Sequence, residues 1–270
     1  MHRTITVGCL AAAIGLTAPT VASGQNAFRS TQSANLPTAV MLRGGNMLFE
    51  ISHRFDTPVS QGASALWGID GPVNNRLGLT YAAHERLMLS VLRSNYQDNV
   101  ELSAKFLGVS TSVGPVPLQI AALGGFAWNT EVFETAGATD NELQTYVQVI
   151  ANVLLGDRVA LGVVPTFLRN PRILDVDSET ALAVGINGQV YLDDTWSFLG
   201  EWIVSETQLE TPNDGASFGV EIRTRGHFFK LLVTNQAFMS PTQFLAGSPH
   251  DFTDPDDWRF GFNLVRLLPF

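Results

Sequence analysis

Ten charged residues stand in segments that are otherwise largely apolar: Glu50, Arg54, Arg76, Glu101, Lys105, Glu201, Glu221, Arg223, Lys230 and Arg259. Six are cationic and four anionic. Alternate positions of an extended strand share one face, so charges placed this way line a polar surface behind an apolar one. Curled inward, that surface either pairs its opposite charges and closes, or lines a narrow aqueous path with a slight anion preference. Asp251, Asp254, Asp256 and Asp257 form a second grouping, oxygen donors of the kind Ca²⁺ takes. Their spacing matches no defined calcium loop. Ser90 or Ser94 with His53 would supply a nucleophile and a base for a lipid hydrolase at a barrel rim. Gly215-Ala216-Ser217-Phe218-Gly219 matches Gly-x-Ser-x-Gly in letters but opens a period-two segment instead of a strand-to-helix turn, and His84-Glu85 lacks the second His of a zinc-protease helix. His227 and His250 have no partners at ligand spacing. The chain therefore reads as a non-enzyme without a cofactor.

The elements that must position these residues follow from composition and period. Apolar residues make up 45% of the 270, and Asp, Glu, Lys and Arg only 15%, against roughly 25% in an ordinary soluble domain. No run approaches the ~18 apolar residues of a spanning helix. A net charge of −9 argues against nucleic acid as a partner. Residues 1–24 read as an export signal: Arg3, then an apolar core from Ile5 to Leu16, then the small residues Ala22-Ser23-Gly24. The one cysteine, Cys9, lies inside that core, too early for lipid attachment. Residues 25–46 are polar and turn-rich, and read as a flexible periplasmic lead-in.

From Met47 onward, apolar residues recur at every second position. Met47, Phe49, Ile51 and Phe55 oppose Glu50, Ser52 and Arg54; Leu77, Leu79 and Tyr81 oppose Arg76, Gly78 and Thr80. The whole chain read this way gives about twelve strands: 47–55, 73–82, 87–93, 99–107, 117–127, 142–154, 158–167, 180–191, 195–205, 216–223, 227–236 and 258–268. Most match the ~9–11 residues of a tilted transmembrane strand. Short and long connections alternate, as in outer-membrane barrels with short periplasmic turns and long outward loops. The long ones hold most of the 25 acidic residues but only Arg169 and Arg172 of the 16 basic ones. Trp67, Tyr96, Trp128 and Trp258 fall at the outer rim, and Tyr191 and Trp196 at the periplasmic one, where aromatic girdles belong.

A soluble sandwich shows the same alternation, but not this loop rhythm or strand length. Lipid leaves no backbone group unpaired, so the sheet must close. The predicted fold is an all-β, antiparallel, up-and-down transmembrane barrel over residues 47–270. Its partners are outer-membrane lipid and, through the terminal aromatic Phe270, the barrel assembly machinery.

The stretch Phe49-Glu50-Ile51-Ser52-His53-Arg54-Phe55, with Leu66-Trp67-Gly68-Ile69-Asp70-Gly71 and Asn75-Arg76-Leu77-Gly78-Leu79, resembles an uncharacterised family of bacterial outer-membrane β-barrel proteins. That family is a domain of unknown function common in Bacteroidetes and related lineages. The resemblance is concentrated in residues 48–107 and rests on His53, Arg54, Phe55, Gly68, Asp70, Arg76 and Gly78. It implies the barrel and the outer membrane, and no substrate. The expected role is a passive pore or small-solute channel with a charged lumen. The alternative is a closed structural or interaction barrel acting through its acidic outer loops.

Overall fold

Period-two strands with one apolar and one polar face can bury only one of them in water, but between lipid and a lumen both are accommodated. The computed structural model, which describes residues 25–129, 143–171, 180–206 and 213–269, resolves the alternation that way. Leu77, Val147, Ile186, Phe198, Trp202 and Phe218 stand half exposed on the outside. Arg54, Gln148, Asn152 and Lys230 are wholly buried on the inside. Such an outer surface suits hydrocarbon, where charged side chains would cost roughly 2–4 kcal/mol each at mid-depth.

Twelve strands form the wall: β1 (Met47–Pro58), β2 (Val73–His84), β3 (Leu87–Ser94), β4 (Asn99–Val113), β5 (Val116–Asn129) and β6 (Leu143–Leu155). The second half comprises β7 (Val159–Arg169), β8 (Thr180–Tyr191), β9 (Trp196–Ser205), β10 (Gly215–Arg223), β11 (His227–Thr234) and β12 (Arg259–Leu268). Each pairs antiparallel with its sequence neighbours, and β1 pairs with β12 to close the barrel. All twelve expected strands are present. The largest boundary change is β4, which runs to Val113 because Gly114-Pro115 makes a two-residue turn with Gly114 at φ +60. Glycine at the first turn position is what a hairpin of this length requires.

The short turns and the ends of β1 and β12 nearest the chain termini lie at one end of the barrel; the strand ends joined by the longer connections lie at the other. Closure at the seam is regular from Met47↔Leu268 to Arg54↔Gly261, then shifts register before Pro58↔Arg259. Gly261 is needed at that shift: a Cβ there would lie 2.8 Å from Arg54 Cδ and 3.0 Å from the His53 carbonyl oxygen. The export-signal region and Phe270 fall outside the described residues.

Candidate functional site

The lumen is occupied. Residues 26–46 do not trail from the barrel as a flexible lead-in; they fold into it as a narrow hairpin, here called the finger. Ser33 N donates to Leu36 O at 2.7 Å and Thr38 N to Thr31 O at 3.0 Å, with Gln32 bridged to Pro37. The return arm leaves through Gly45 and Asn46, both bonded to Ala82 on β2. Phe28, Leu36, Thr38 and Ala39 have no exposed surface. The expectation failed because a short polar segment without periodicity carries no local sign of its partners. Those partners are wall side chains, many of them more than 100 residues away in sequence.

The inward charges are those partners. Glu201 accepts from the consecutive amides of Asn35 and Leu36, at 2.8 and 3.0 Å. Arg54 donates to the Ala34 carbonyl and to Asn35 Oδ1, and on its other side to Asn263 Oδ1 at 2.8 Å. Lys105 Nζ donates to the carbonyls of Thr38 and Val40, at 2.9 and 2.8 Å. Lys230 Nζ donates to those of Gln32 and Ser33 and lies 3.4 Å from Glu221, which itself accepts from Ser30 Oγ. Each buried charge thus meets polar atoms that offset the cost of taking it from water.

A second segment fills the outer half. The β11–β12 connection turns inward from Asn235 to Ser248, carrying the one-turn helix α1 (Pro241–Phe244), and crosses to the opposite wall. Asn74 Nδ2 and Arg76 donate to the carbonyls of Ala237 and Met239, and Thr242 Oγ1 donates to Gln144 Oε1 at 2.9 Å. Finger and loop meet at mid-height, where Leu36 and Ala39 share one buried cluster with Phe244, Leu245, Ile150, Val164 and Ile203. Gly185 leaves room for the fingertip, since a Cβ there would lie 2.4 Å from Leu36 Cδ2.

Of the ten expected lumen residues, eight surround these two segments. Glu50 pairs with Arg76 at 2.6 Å, and Glu101 accepts from Tyr146 Oη. Arg259 sits instead at the outer rim, donating to the carbonyls of Asp56 and Asp257, and Arg223 lies exposed at the short-turn end. In the structure the buried wall charges meet the finger and one another instead of lining an open path.

Other expectations resolve as follows. His53 faces outward against Phe262, 4.5 Å between centroids, while Ser90 and Ser94 face inward. The wall separates the base from either nucleophile. The four aspartates do not converge, and among the described residues no three acidic, His or Cys side chains could hold a metal. Three of them instead cap the loop: Asp251 Oδ1 accepts from Thr253 N, Asp254 Oδ1 from Asp256 N, and Asp257 Oδ2 from Asp251 N. That amide holds the Asp257 carboxyl below the usual carboxylate range. His250 lies 3.3 Å from Asp257, but burial and Arg259 lower its pKa. His227 stacks on Phe229. Tyr191 is not a girdle residue; it points inward, donates to the Ala27 carbonyl and lies under the Arg29 guanidinium.

The resemblance residues are structural. Gly68 takes φ +91, and a Cβ on it would lie 2.3 Å from the Thr57 carbonyl oxygen. Gly78 clears space for Leu92 and Glu50, Asp70 N donates to Ala65 O, and Phe55 packs near Phe260. Sequence reasoning missed Asn263, Asn152 and Gln119, neutral amides that also grip the finger.

No curated protein matches the chain. Among solved structures, the NanC porin is 7% identical with a TM-score of 0.49, covering 83% of this chain and 99% of that one. LpxR from Salmonella typhimurium is 10% identical (TM-score 0.37; 83% and 100% covered), and OmpT of Vibrio cholerae 11% identical (0.35; 85% and 100%). At this distance they say nothing of function. A closed sheet with an apolar exterior is the form in which strands span the outer membrane. The chain belongs to the membrane-bound β-barrel domain family (DUF5777), matched over residues 28–268 and so including most of the finger, and it resides in the outer membrane.

Proposed function

We propose that this protein is a barrel held closed by its own N-terminal finger, and that solutes pass only when the finger withdraws. The observation that carries this reading is the pairing of buried wall charges with finger backbone: Glu201, Arg54, Lys105 and Lys230 each place hydrogen bonds on residues 30–40. An open aqueous pore would leave such side chains hydrated. Water entering the lumen re-solvates the same charges, which offsets part of the cost of withdrawal. Each exchanged hydrogen bond to a charged group then costs about 1.5–3 kcal/mol net instead of a full desolvation penalty.

The test is planar-bilayer conductance of the full chain against a variant lacking residues 26–40. The intact protein should be silent, and the variant should give discrete steps. Steady conductance from the intact protein would overturn the closed reading. Silence from both would favour a permanently closed interaction barrel, a reading supported by the independently anchored β11–β12 loop.

A further inference from the structure

Beside the finger, at the short-turn end, a cavity of about 280 Å³ opens between the finger's base and the wall. Its floor is apolar: Val40 and Leu42 from the finger face Leu48, Phe228, Val265 and Leu267 from β1, β11 and β12. Of these wall side chains, none belongs to the buried apolar clusters that hold the finger. The rim is cationic. Arg29, Arg43 and Arg223 line it, and no carboxylate does. Arg29 is engaged by Asp194 at 3.4 Å and by Tyr191. Among the described residues, Arg43 and Arg223 have no ion-pair partner, and both are exposed.

We infer that this cavity binds a single-chain anionic amphiphile, its headgroup held by Arg43 and Arg223 and its tail against Phe228 and Leu267. The volume, just under the ~300 Å³ at which small-molecule sites begin, suits a short acyl chain. Carboxylate and phosphate headgroups share the chemistry that guanidinium recognises. Because most of the lining comes from the finger, the site exists only while the finger is seated, so the inference rests on the closed reading. A bound amphiphile then stabilises the closed state by mass action.

The experiment uses the full chain in zwitterionic-lipid nanodiscs, titrated calorimetrically with octanoate, octyl phosphate or 1-octanol, with empty nanodiscs subtracted. One saturable site per chain is expected for at least one anion, with 1-octanol about tenfold weaker or more. Octanoate alone would point to a fatty-acid source, octyl phosphate alone to a phospholipid one. The Arg43→Gln/Arg223→Gln double variant, altered only at exposed rim positions, should lose about tenfold in anion affinity and none in 1-octanol affinity. Equal binding of anion and alcohol, or an unaffected double variant, would overturn the site. The bilayer experiment separates the two failures: silent protein without saturable binding sinks the amphiphile site alone, whereas steady conductance from the intact chain sinks the closed reading beneath it.

Discussion

Finger and β11–β12 loop fill the same lumen by different physics. The finger presents backbone amides and carbonyls, and the wall answers with charges: a carboxylate on two successive amides, two ammonium groups on pairs of carbonyls. The loop presents Phe244, Leu245 and Met239, all wholly buried, and is tied mainly by neutral amides such as Gln236 to Phe244 O and Asn235 to Asp214 O. Releasing either segment exposes apolar side chains, Phe28, Leu36 and Val40 from the finger and Met239, Phe244 and Leu245 from the loop, at about 25 cal/mol per Å². The finger differs in that much of its remaining hold is charge, which water can re-solvate, whereas the loop's is not. The proposed function accordingly takes the finger as the movable half and the loop as the fixed half.

The sharpest break of that contrast is steric. Gly185→Leu places a side chain where Leu36 now sits, so the fingertip should be expelled and the full chain should conduct in a bilayer. Adding Leu36→Ala should restore silence. Conductance unchanged by the suppressor would mean that the substitution damaged the wall. Next in size is a crossed pair, read by maleimide labelling of Ser33→Cys in the finger and Ala246→Cys in the loop, with Cys9 replaced by Ser. Phe244→Ala should cost the loop about 3–5 kcal/mol and accelerate labelling at 246. Glu201→Gln, which can accept from only one of the two fingertip amides, should cost about 1.5–3 kcal/mol and accelerate labelling at 33. If each substitution loosened both segments equally, the division into movable and fixed halves would fail.

The wall was legible in the sequence, and the filling was not. Two-faced strands between lipid and lumen impose a period of two on every segment, so even β6 and β8 show within a residue or two of their bounds. The finger has no period, and its bonds run to Glu201 and Lys230, so no local pattern marks it. A trace existed all the same. In β6 and β7 both faces carry apolar residues: Ile150, Leu154, Val164 and Leu168 face inward. Strands apolar on both faces are covered on both faces, which a water-filled lumen does not provide. The aspartates misled for a related reason. Asp in Asp-x-x-Asp-Pro-Asp-Asp suits turn capping, where each carboxylate accepts a nearby amide, as readily as it suits a cation.

Within the loop itself the contrast recurs at smaller scale, between its buried run and its exposed outer turn. Asp251–Asp257 is held by carboxylate caps, and Asp257 accepts from Asp251 N while lying within reach of His250 and Arg259. The folded turn lowers the Asp257 pKa below its ordinary value of 3.8. Its contribution is therefore fully present above that value and is lost as pH falls through the lower, folded one. Acidification below about pH 4 should loosen this turn, read as faster proteolysis after Phe252 by an acid-active protease, while labelling at 246 stays slow. Asp257→Asn should remove the pH dependence between neutrality and pH 3 while raising the basal cleavage rate. Loosening of the buried run over the same range would mean that the outer turn clamps it, and that the fixed half is secured from outside instead of by Phe244 and Leu245.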